Sequence, residues 1–346
     1  MFKKFSRYFK EYIECMKDFI VNEYKFLIGL ILLYIVFIWP VNYYIVIGGG
    51  ISDIDSRIEV DGAYESEGSF NIAYITEAQG RVVTYLLSYI VPNWERISVN
   101  DYKYDEEENI KDVEFRSDLD LKTANGTAIK LAYQLAEKEY KEISTKIYVV
   151  ANFKEYNTLL KVQDQLLSIN GVMFNSIHDY KKYLQQFSEG DEVVVKVLRN
   201  KKKIELKCPV YDYEGVKILG VSLQIVREYE TDPEIEIEFE SDESGPSGGL
   251  ITALDIYDKL TKGDLTNSLK IAGTGTIEED GSVGSIGGVE YKLLGAVDGG
   301  ADVFLVPKGK NYDSCLAMKK KNNLDIKLIS ISTFEDAVEK LEELKK

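Results

Sequence analysis

One histidine, His178, stands among 346 residues, and that scarcity excludes more than any other feature of the chain. A Ser-His-Asp triad, a Cys-His pair, an HExxH zinc site or a multi-histidine metal cluster would have to use it. Any general base is therefore expected to be a carboxylate or a lysine. His178 itself falls at the start of a short helix, where a surface or packing role outweighs a catalytic one. Cysteine is scarce too: Cys15, Cys208 and Cys315 are odd in number and widely spaced, which fits neither a disulfide framework nor a CxxC metal site. Basic residues are outnumbered, 42 Lys and Arg against 58 Asp and Glu, for a formal charge of −16. A nucleic-acid partner needs a basic face and counterion release, so none is expected. No GxxxxGK[ST] motif occurs, and a Walker-type ATPase is unsupported.

With 29% charged and 45% hydrophobic residues the chain is a folded one, long enough for about two domains. From Phe26 to Ile47 no charge interrupts FLIGLILLYIVFIWPVNYYIVI. That length spans a bilayer core of ~30 Å at about 1.5 Å per residue, and the reading is a transmembrane helix over 26–47. Pro40 and Asn42 sit in its second half, where a helix kinks or ends early; Trp39, Tyr43 and Tyr44 suit the interface. Lys3, Lys4, Arg7 and Lys10 precede the run, whereas Asp53, Asp55, Glu59 and Asp61 follow it. The positive-inside rule then puts residues 1–25 in the cytoplasm and everything beyond the single-pass anchor outside the cell membrane. A cleaved signal peptide fits less well, because the run is long and begins late.

Residues 57–92 alternate as strands do, in IEVDGAYES, SFNIAYIT and RVVTYLLSYIV. The acidic run DEEE at 105–108 reads as a solvated loop. Ala128, Leu131, Ala132 and Leu135 mark an amphipathic helix over 124–142. Residues 146–212 form a β-rich module: strand KIYVVA, strand DQLLSING, a Ser176-capped helix SIHDYKKYL, and the hairpin EVVVKVLR/KIELKCPV.

Two glycine-flanked groups follow, SGPSGG with Ser247 and IGGVEYK with Lys292. PEIEIEFES reads as a strand and LITALDIYDKL as a helix with Leu250, Ala253, Leu254 and Tyr257 on one face, so Ser247 lies at a strand-to-helix turn. A helix N-terminus there favours developing negative charge. Taken by itself, Ser247 reads more readily as a helix cap than as a nucleophile. In GGVEYKLLGAVDGG, Lys292 shares the apolar face of Val289, Leu293 and Ala296. A lysine so placed either snorkels out or loses solvation, and desolvation lowers its pKa from about 10.4 toward the range of a working base. Thr274, in the glycine-rich IAGTGTIEEDGSVGSIGG between them, is within reach of a bond to that lysine. Strand ADVFLVP, helix NYDSCLAMKKK, strand DIKLISI and a last helix with a Ser332/Glu335 capping box complete an α/β or α+β layer. A glycine-rich turn opening a helix also suits phosphate, but the acidic balance and missing P-loop lysine weigh against a phosphotransferase.

The order of strand, DxLLSING, helix and hairpin resembles a PDZ domain, which implies an extended peptide added as a strand beside the helix. The preceding NFKEYNTLLKVQ lacks the glycines of a PDZ carboxylate nest, and Gln163 stands where many relatives have glycine. Substrate presentation is therefore implied rather than capture of a C-terminal carboxylate. GPSGG with Ser247, the GTGTI…DGSVG run and GGxxxK ending at Lys292 resemble the proteolytic domain of the Lon proteases. Nearly the whole chain after Phe26 resembles the membrane-anchored PDZ-Lon proteases of low-GC Gram-positive bacteria. The resemblance implies that Ser247 is the nucleophile, Lys292 the base that also protonates the leaving amine, and Thr274 the residue orienting it, with Gly245, Pro246 and Gly248 shaping the turn. Two departures are Ser244, where an acid is frequent, and Gly248, where alanine is.

The expected architecture is α+β: a transmembrane helix at 26–47, a region at 48–143 whose strands complete the protease sheet, a PDZ-like domain at 144–228, and a Lon-type proteolytic α/β domain at 229–346. The expected activity is that of an ATP-independent serine endopeptidase, needing no metal or cofactor and acting on extracytoplasmic peptides or on unfolded or membrane-associated proteins. A homo-oligomer stays open. The competing expectation is a catalytically silent, membrane-tethered peptide-binding scaffold.

Overall fold

The computed structural model describes residues 2–105, 108–239 and 243–344, and side chains from residue 8 onward. Its contacts divide the chain into two units, Met1–Ile47 with Thr76–Tyr102, and Gly48–Ile75 with Lys103–Lys346.

In the first unit a helix runs over Phe2–Phe37 and a strand over Pro40–Asp53 begins three residues later. The helix expected over 26–47 is therefore corrected: it ends at Phe37, and 40–47 are strand. Proline lacks an N–H and clashes with a preceding turn, so it closes the helix, while VNYYIVI, rich in β-branched and aromatic residues, suits a strand. Tyr43–Val46 pairs antiparallel with Glu95–Ser98. Within Tyr8–Phe37 an 18-residue window has a mean hydropathy of 1.8 and none of that window is buried, so by length and composition the helix can cross a membrane. RVVTYLLSYIV is not a strand as expected: Val82–Leu87 is a short helix. The local cap decides it, since Thr84 Oγ1 accepts from the Arg81 N–H at 2.8 Å and donates to the Arg81 carbonyl at 3.1 Å.

The second unit contains two sheets. In one, Lys327–Ile331, Val303–Pro307, Lys270–Gly273 and the start of Ser69–Arg81 lie side by side and parallel, with Ile271, Ala272 and Gly273 opposite Phe70, Asn71 and Ile72. Alternate residues face opposite ways. Ile271, Val303 and Leu305 pack with Leu250, Leu254, Phe334 and Ala128, whereas Ala272, Phe304 and Val306 pack with Val289, Leu293, Ala296 and Cys315. Helices thus cover both faces: Ile110–Leu135, Gly249–Leu260 and Phe334–Glu342 on one, Val289–Asp298 and Lys310–Asn322 on the other.

The other sheet is antiparallel, in the order Val221–Asp232, Glu139–Asn152, Gln165–Ile169, Glu192–Arg199, Lys202–Pro209. Its core holds Val149, Ile169, Val193, Val195 and Val197 with Tyr180 and Leu184 of the helix Ile177–Leu184. That helix is capped as expected, Ser176 Oγ accepting from the Asp179 N–H at 3.0 Å. His178 is exposed on it. The boundaries placed at 144 and 228 cut through a ladder that continues to Glu139 opposite Asp232.

Four local expectations change. The helix expected over 124–142 occupies Ile110–Leu135, and Glu139 already opens a strand. The last helix is capped one residue later than expected, by Thr333 Oγ1 accepting from the Asp336 N–H at 3.1 Å. Of the acidic run, residues 106 and 107 lie outside those described; Asp105 pairs with Lys154 at 2.7 Å and Glu108 with Arg116 at 2.5 Å, so its described ends are ion-paired rather than solvated. Of the strand expected over 233–241, Ile235–Ile237 forms and pairs with Ile58–Val60, while 240 and 241 are not described.

Candidate active site

The turn 243–248 delivers the chain into the buried helix Gly249–Leu260. Gly245 has φ +84°, a left-handed conformation that glycine adopts without strain, and its N–H donates to the Ser117 carbonyl at 3.0 Å. Pro246 accepts from the Gly249 N–H at 3.2 Å, closing the first helical turn. Gly248 sits against the sheet: a Cβ there would come within 2.8 Å of Ile72 Cδ1. Ser247 is half-buried, and its carbonyl accepts from the Gly275 N–H at 2.8 Å. The Leu250 N–H in turn donates to the Gly275 carbonyl at 3.2 Å, so the turn is stitched to the end of the strand Lys270–Gly273.

Lys292 lies in the first turn of Val289–Asp298 and is 3% exposed. Its neighbours at helical spacing, Val289, Leu293 and Ala296, are buried with it. Nζ donates to Ser247 Oγ at 2.7 Å and to Thr274 Oγ1 at 3.0 Å. Thr274 is fully buried and its hydroxyl donates to the Ser247 carbonyl at 3.0 Å, while its N–H donates to the Leu305 carbonyl at 3.1 Å. Thr274 therefore touches both the lysine and the serine's backbone and is itself fixed by the central sheet. All six residues singled out in the sequence fall at this one place.

Two supports lie far off along the chain: Ser117 carries no sequence signal, whereas Ile72 belongs to the strands expected to complete the sheet and pairs opposite Gly273. Ser117 and Ile72 hold the turn from about 130 and 175 residues away along the chain, and only the fold brings them there. A further feature of the serine's helix is Asp255, two turns beyond Gly249 and 4% exposed. Its Oδ2 has no hydrogen-bond partner and lies 3.8 Å from Lys259 Nζ. Burial pushes this carboxyl up to about 7, with Asp55, Asp258 and Asp53 adding to the rise and Lys259 opposing it.

In the antiparallel module, a cavity of about 370 Å³ lies between the helix Ile177–Leu184 and the start of Val221–Asp232, lined by Ile177, Tyr180, Ile218, Val221 and Leu223. Val221–Asp232 is the terminal strand of its sheet. Gly220, at φ +71°, turns the chain into it. The strand beside the helix is thus this one, and not DQLLSING, which lies inside the sheet; glycines before Gln165 are the wrong place to look for a ligand-binding turn.

Comparison with known proteins finds similarity over the region that holds Ser247, Thr274 and Lys292. Residues 237–343 match the Lon protease (S16) C-terminal proteolytic domain, and residues 121–210 match the PDZ domain. The chain therefore carries a Lon-type proteolytic domain joined to a PDZ domain. It is 32% identical over 147 residues to the Lon protease of Campylobacter concisus (strain 13826), covering 42% of this chain and 18% of that one. It is 30% identical over 211 residues to the Lon protease of Clostridioides difficile (strain 630), covering 54% of this chain and 25% of that one. The chain spans at most a quarter of the length of these two relatives. Two solved structures are similar over part of the chain: PDZ domains of SdrC-like proteins from Listeria monocytogenes (22% identity, TM-score 0.21, covering 22% of this chain and 85% of that one) and Listeria innocua (24%, 0.21, 22% and 92%).

Proposed function

We propose that the chain is a membrane-anchored serine endopeptidase that uses Ser247 and Lys292 as its catalytic pair and works without ATP. The observation that carries this is the 2.7 Å contact between Lys292 Nζ and Ser247 Oγ beside the buried Thr274 hydroxyl. Burial disfavours the ammonium form, and a neutral amine at this distance accepts the serine proton as Oγ attacks a peptide carbonyl. The resulting ammonium then gives that proton to the leaving amine, and water hydrolyses the acyl-enzyme. Thr274 holds the amine on line. The oxyanion forms next to the N-terminus of Gly249–Leu260, whose dipole favours negative charge.

The PDZ groove supplies a second contact for substrate. The start of Val221–Asp232, terminal in its sheet, lies beside the helix Ile177–Leu184, so an extended peptide can add there as a strand, with side chains entering the cavity at Ile177 and Tyr180; from Ile225 onward the helix Ile110–Leu135 covers it, Thr123 Oγ1 donating to the Ile225 carbonyl at 3.2 Å. The helix through Phe37 anchors the enzyme, and the basic residues before it orient the catalytic domain outward. Accessible peptides and unfolded segments are the substrates that such a site takes without ATP.

The test uses the full chain in detergent on casein, with a chelator and no nucleotide. Wild type cleaves, and Ser247→Ala and Lys292→Ala each lose about 10²- to 10⁴-fold. Equal cleavage by all three proteins would sink the catalytic pair and leave the tethered scaffold. Cleavage only with added ATP would end the stand-alone reading.

A further inference from the structure

In the first unit, thirteen uncharged residues, VVTYLLSYIVPNW, run from Val82 to Trp94 between Arg81 and Glu95. They leave apolar side chains in the open: Leu86 is 56% exposed, Leu87 40%, Tyr89 63% and Ile90 79%. An apolar tip of this kind on a soluble surface calls for a covering partner. Its place in the unit says which. The short helix Val82–Leu87 is in contact with the long apolar helix, and the Arg81 guanidinium donates to the Ile38 carbonyl at 2.5 Å, just past that helix's end. The tip is therefore held where the apolar helix stops.

Two further observations fit one occupant. The backbone of the tip is closed upon itself: the N–H groups of Ser88, Tyr89, Ile90 and Val91 donate to the carbonyls of Thr84, Leu86 and Leu87 at 2.8–3.2 Å. Paired donors remove the main penalty for entering an apolar medium. Behind the apolar residues stands a ring of amphipathic ones. Arg96 lies 3.8 Å over the Tyr89 ring and bonds Ser88 Oγ at 3.0 Å, Tyr85 and Tyr89 share a hydroxyl contact at 3.2 Å, and Tyr43 packs on Tyr85 with centroids 5.1 Å apart. Tyrosine and arginine in this mixture belong at the level of lipid headgroups.

We propose that residues 82–94 are a second membrane-contacting element, with Leu86, Leu87 and Ile90 seated in the headgroup–acyl boundary of the bilayer that the helix Phe2–Phe37 crosses. The proposal rests on the anchor reading above and adds to it. A lone helix permits the catalytic domain to swing about its connection, whereas a helix end and an apolar tip give two points of attachment and limit its tilt.

The experiment places an environment-sensitive NBD label at single cysteines of the full chain in phosphatidylcholine/phosphatidylglycerol vesicles, with the exposed Cys15 replaced (Cys15→Ser) and the buried Cys208 and Cys315 retained. Labels go on Leu32→Cys in the helix, Ile90→Cys in the tip and Met173→Cys, an exposed site in the PDZ domain. Expected are blue-shifted emission at 32 and 90, quenching at 90 by lipids carrying a nitroxide near the ester level, and aqueous emission at 173. A lipid signal at 32 with an aqueous one at 90 overturns the proposal and leaves the anchor intact. Aqueous emission at both overturns the anchor and the proposal with it. A blue shift at 90 that grows with protein density and escapes lipid quenching assigns the tip to a second copy, and also overturns it. As a second measurement, Leu86→Asp with Ile90→Asp abolishes the lipid quenching of a label at Tyr89→Cys while the label at 32 is unchanged; quenching that survives both charges contradicts lipid seating.

Discussion

Gly295 lies so close to Gly50 that a Cβ at 295 would come within 2.4 Å of the Gly50 backbone nitrogen. The helix that carries Lys292 is thus pressed onto the strand Pro40–Asp53 by a glycine-to-glycine contact one turn beyond the lysine. Backbone has no rotamer with which to yield. Gly295→Ala is expected to lower stability by about 1–3 kcal/mol and to reduce cleavage by displacing Lys292. Thermal unfolding and casein cleavage of the full chain check both; a variant as stable as wild type would mean that the helix can move away freely.

Thr274→Val keeps the shape of the buried side chain and removes its hydroxyl. The lysine then loses one partner and the Ser247 carbonyl another. The expected result is a fall in kcat of about tenfold or more with KM little changed, and substantial recovery in Thr274→Ser. A valine variant whose kcat matches wild type would remove Thr274 from the positioning role.

Lys292→Met substitutes an apolar chain of similar length for a buried amine. Cleavage is expected to vanish while the unfolding temperature holds or rises, because the desolvated amine is no longer buried. Unfolding of the variant at lower temperature would point instead to a structural role for the bonds of Lys292.

Asp255 makes stability depend on pH. Its carboxyl titrates at about 7 in the folded chain against 3.8 ordinarily, so the folded state holds its proton more tightly. That contribution is complete below about pH 4 and is lost as pH rises through 7, on the order of 4 kcal/mol at most. Asp258, also raised by burial, acts in the same direction. Between pH 4 and 8, Asp255→Asn should flatten the decline in unfolding temperature and exceed wild type at pH 8. Parallel curves for the two proteins would refute the assignment.

Ile177→Glu puts a charge in the PDZ cavity. KM for an unfolded protein should rise about tenfold, with cleavage of a short fluorogenic peptide unaffected. Equal effects on both substrates would separate the groove from substrate presentation.

Much of the candidate site is legible in the sequence itself. Helical spacing put Lys292 with Val289, Leu293 and Ala296, and all four are buried together. Glycine flanks marked the turn at Ser247 for the same local reason. What stayed hidden was non-local or competed with a strong local pattern. Nothing near Ser247 announces Ser117, and nothing near Gly220 marks the strand it opens as the terminal one. Val82–Leu87 has strand-like composition, yet a threonine bond three residues in turns it into helix. The uncharged run through Ile47 conceals a change from helix to strand at Pro40, because apolarity has no period to read in a fully exposed helix.

The parallel sheet sets a timetable for the chain's assembly. Its Ser69–Ile72 stretch pairs with residues some 200 positions later, and Lys327–Ile331 forms its far edge. The intervening PDZ sheet has its own core and can close first during synthesis. The layer that aligns Ser247 with Lys292 must wait until residues 327–331 have been made. A translating ribosome therefore holds the antiparallel sheet already formed while the layer around Ser247 and Lys292 is not yet assembled.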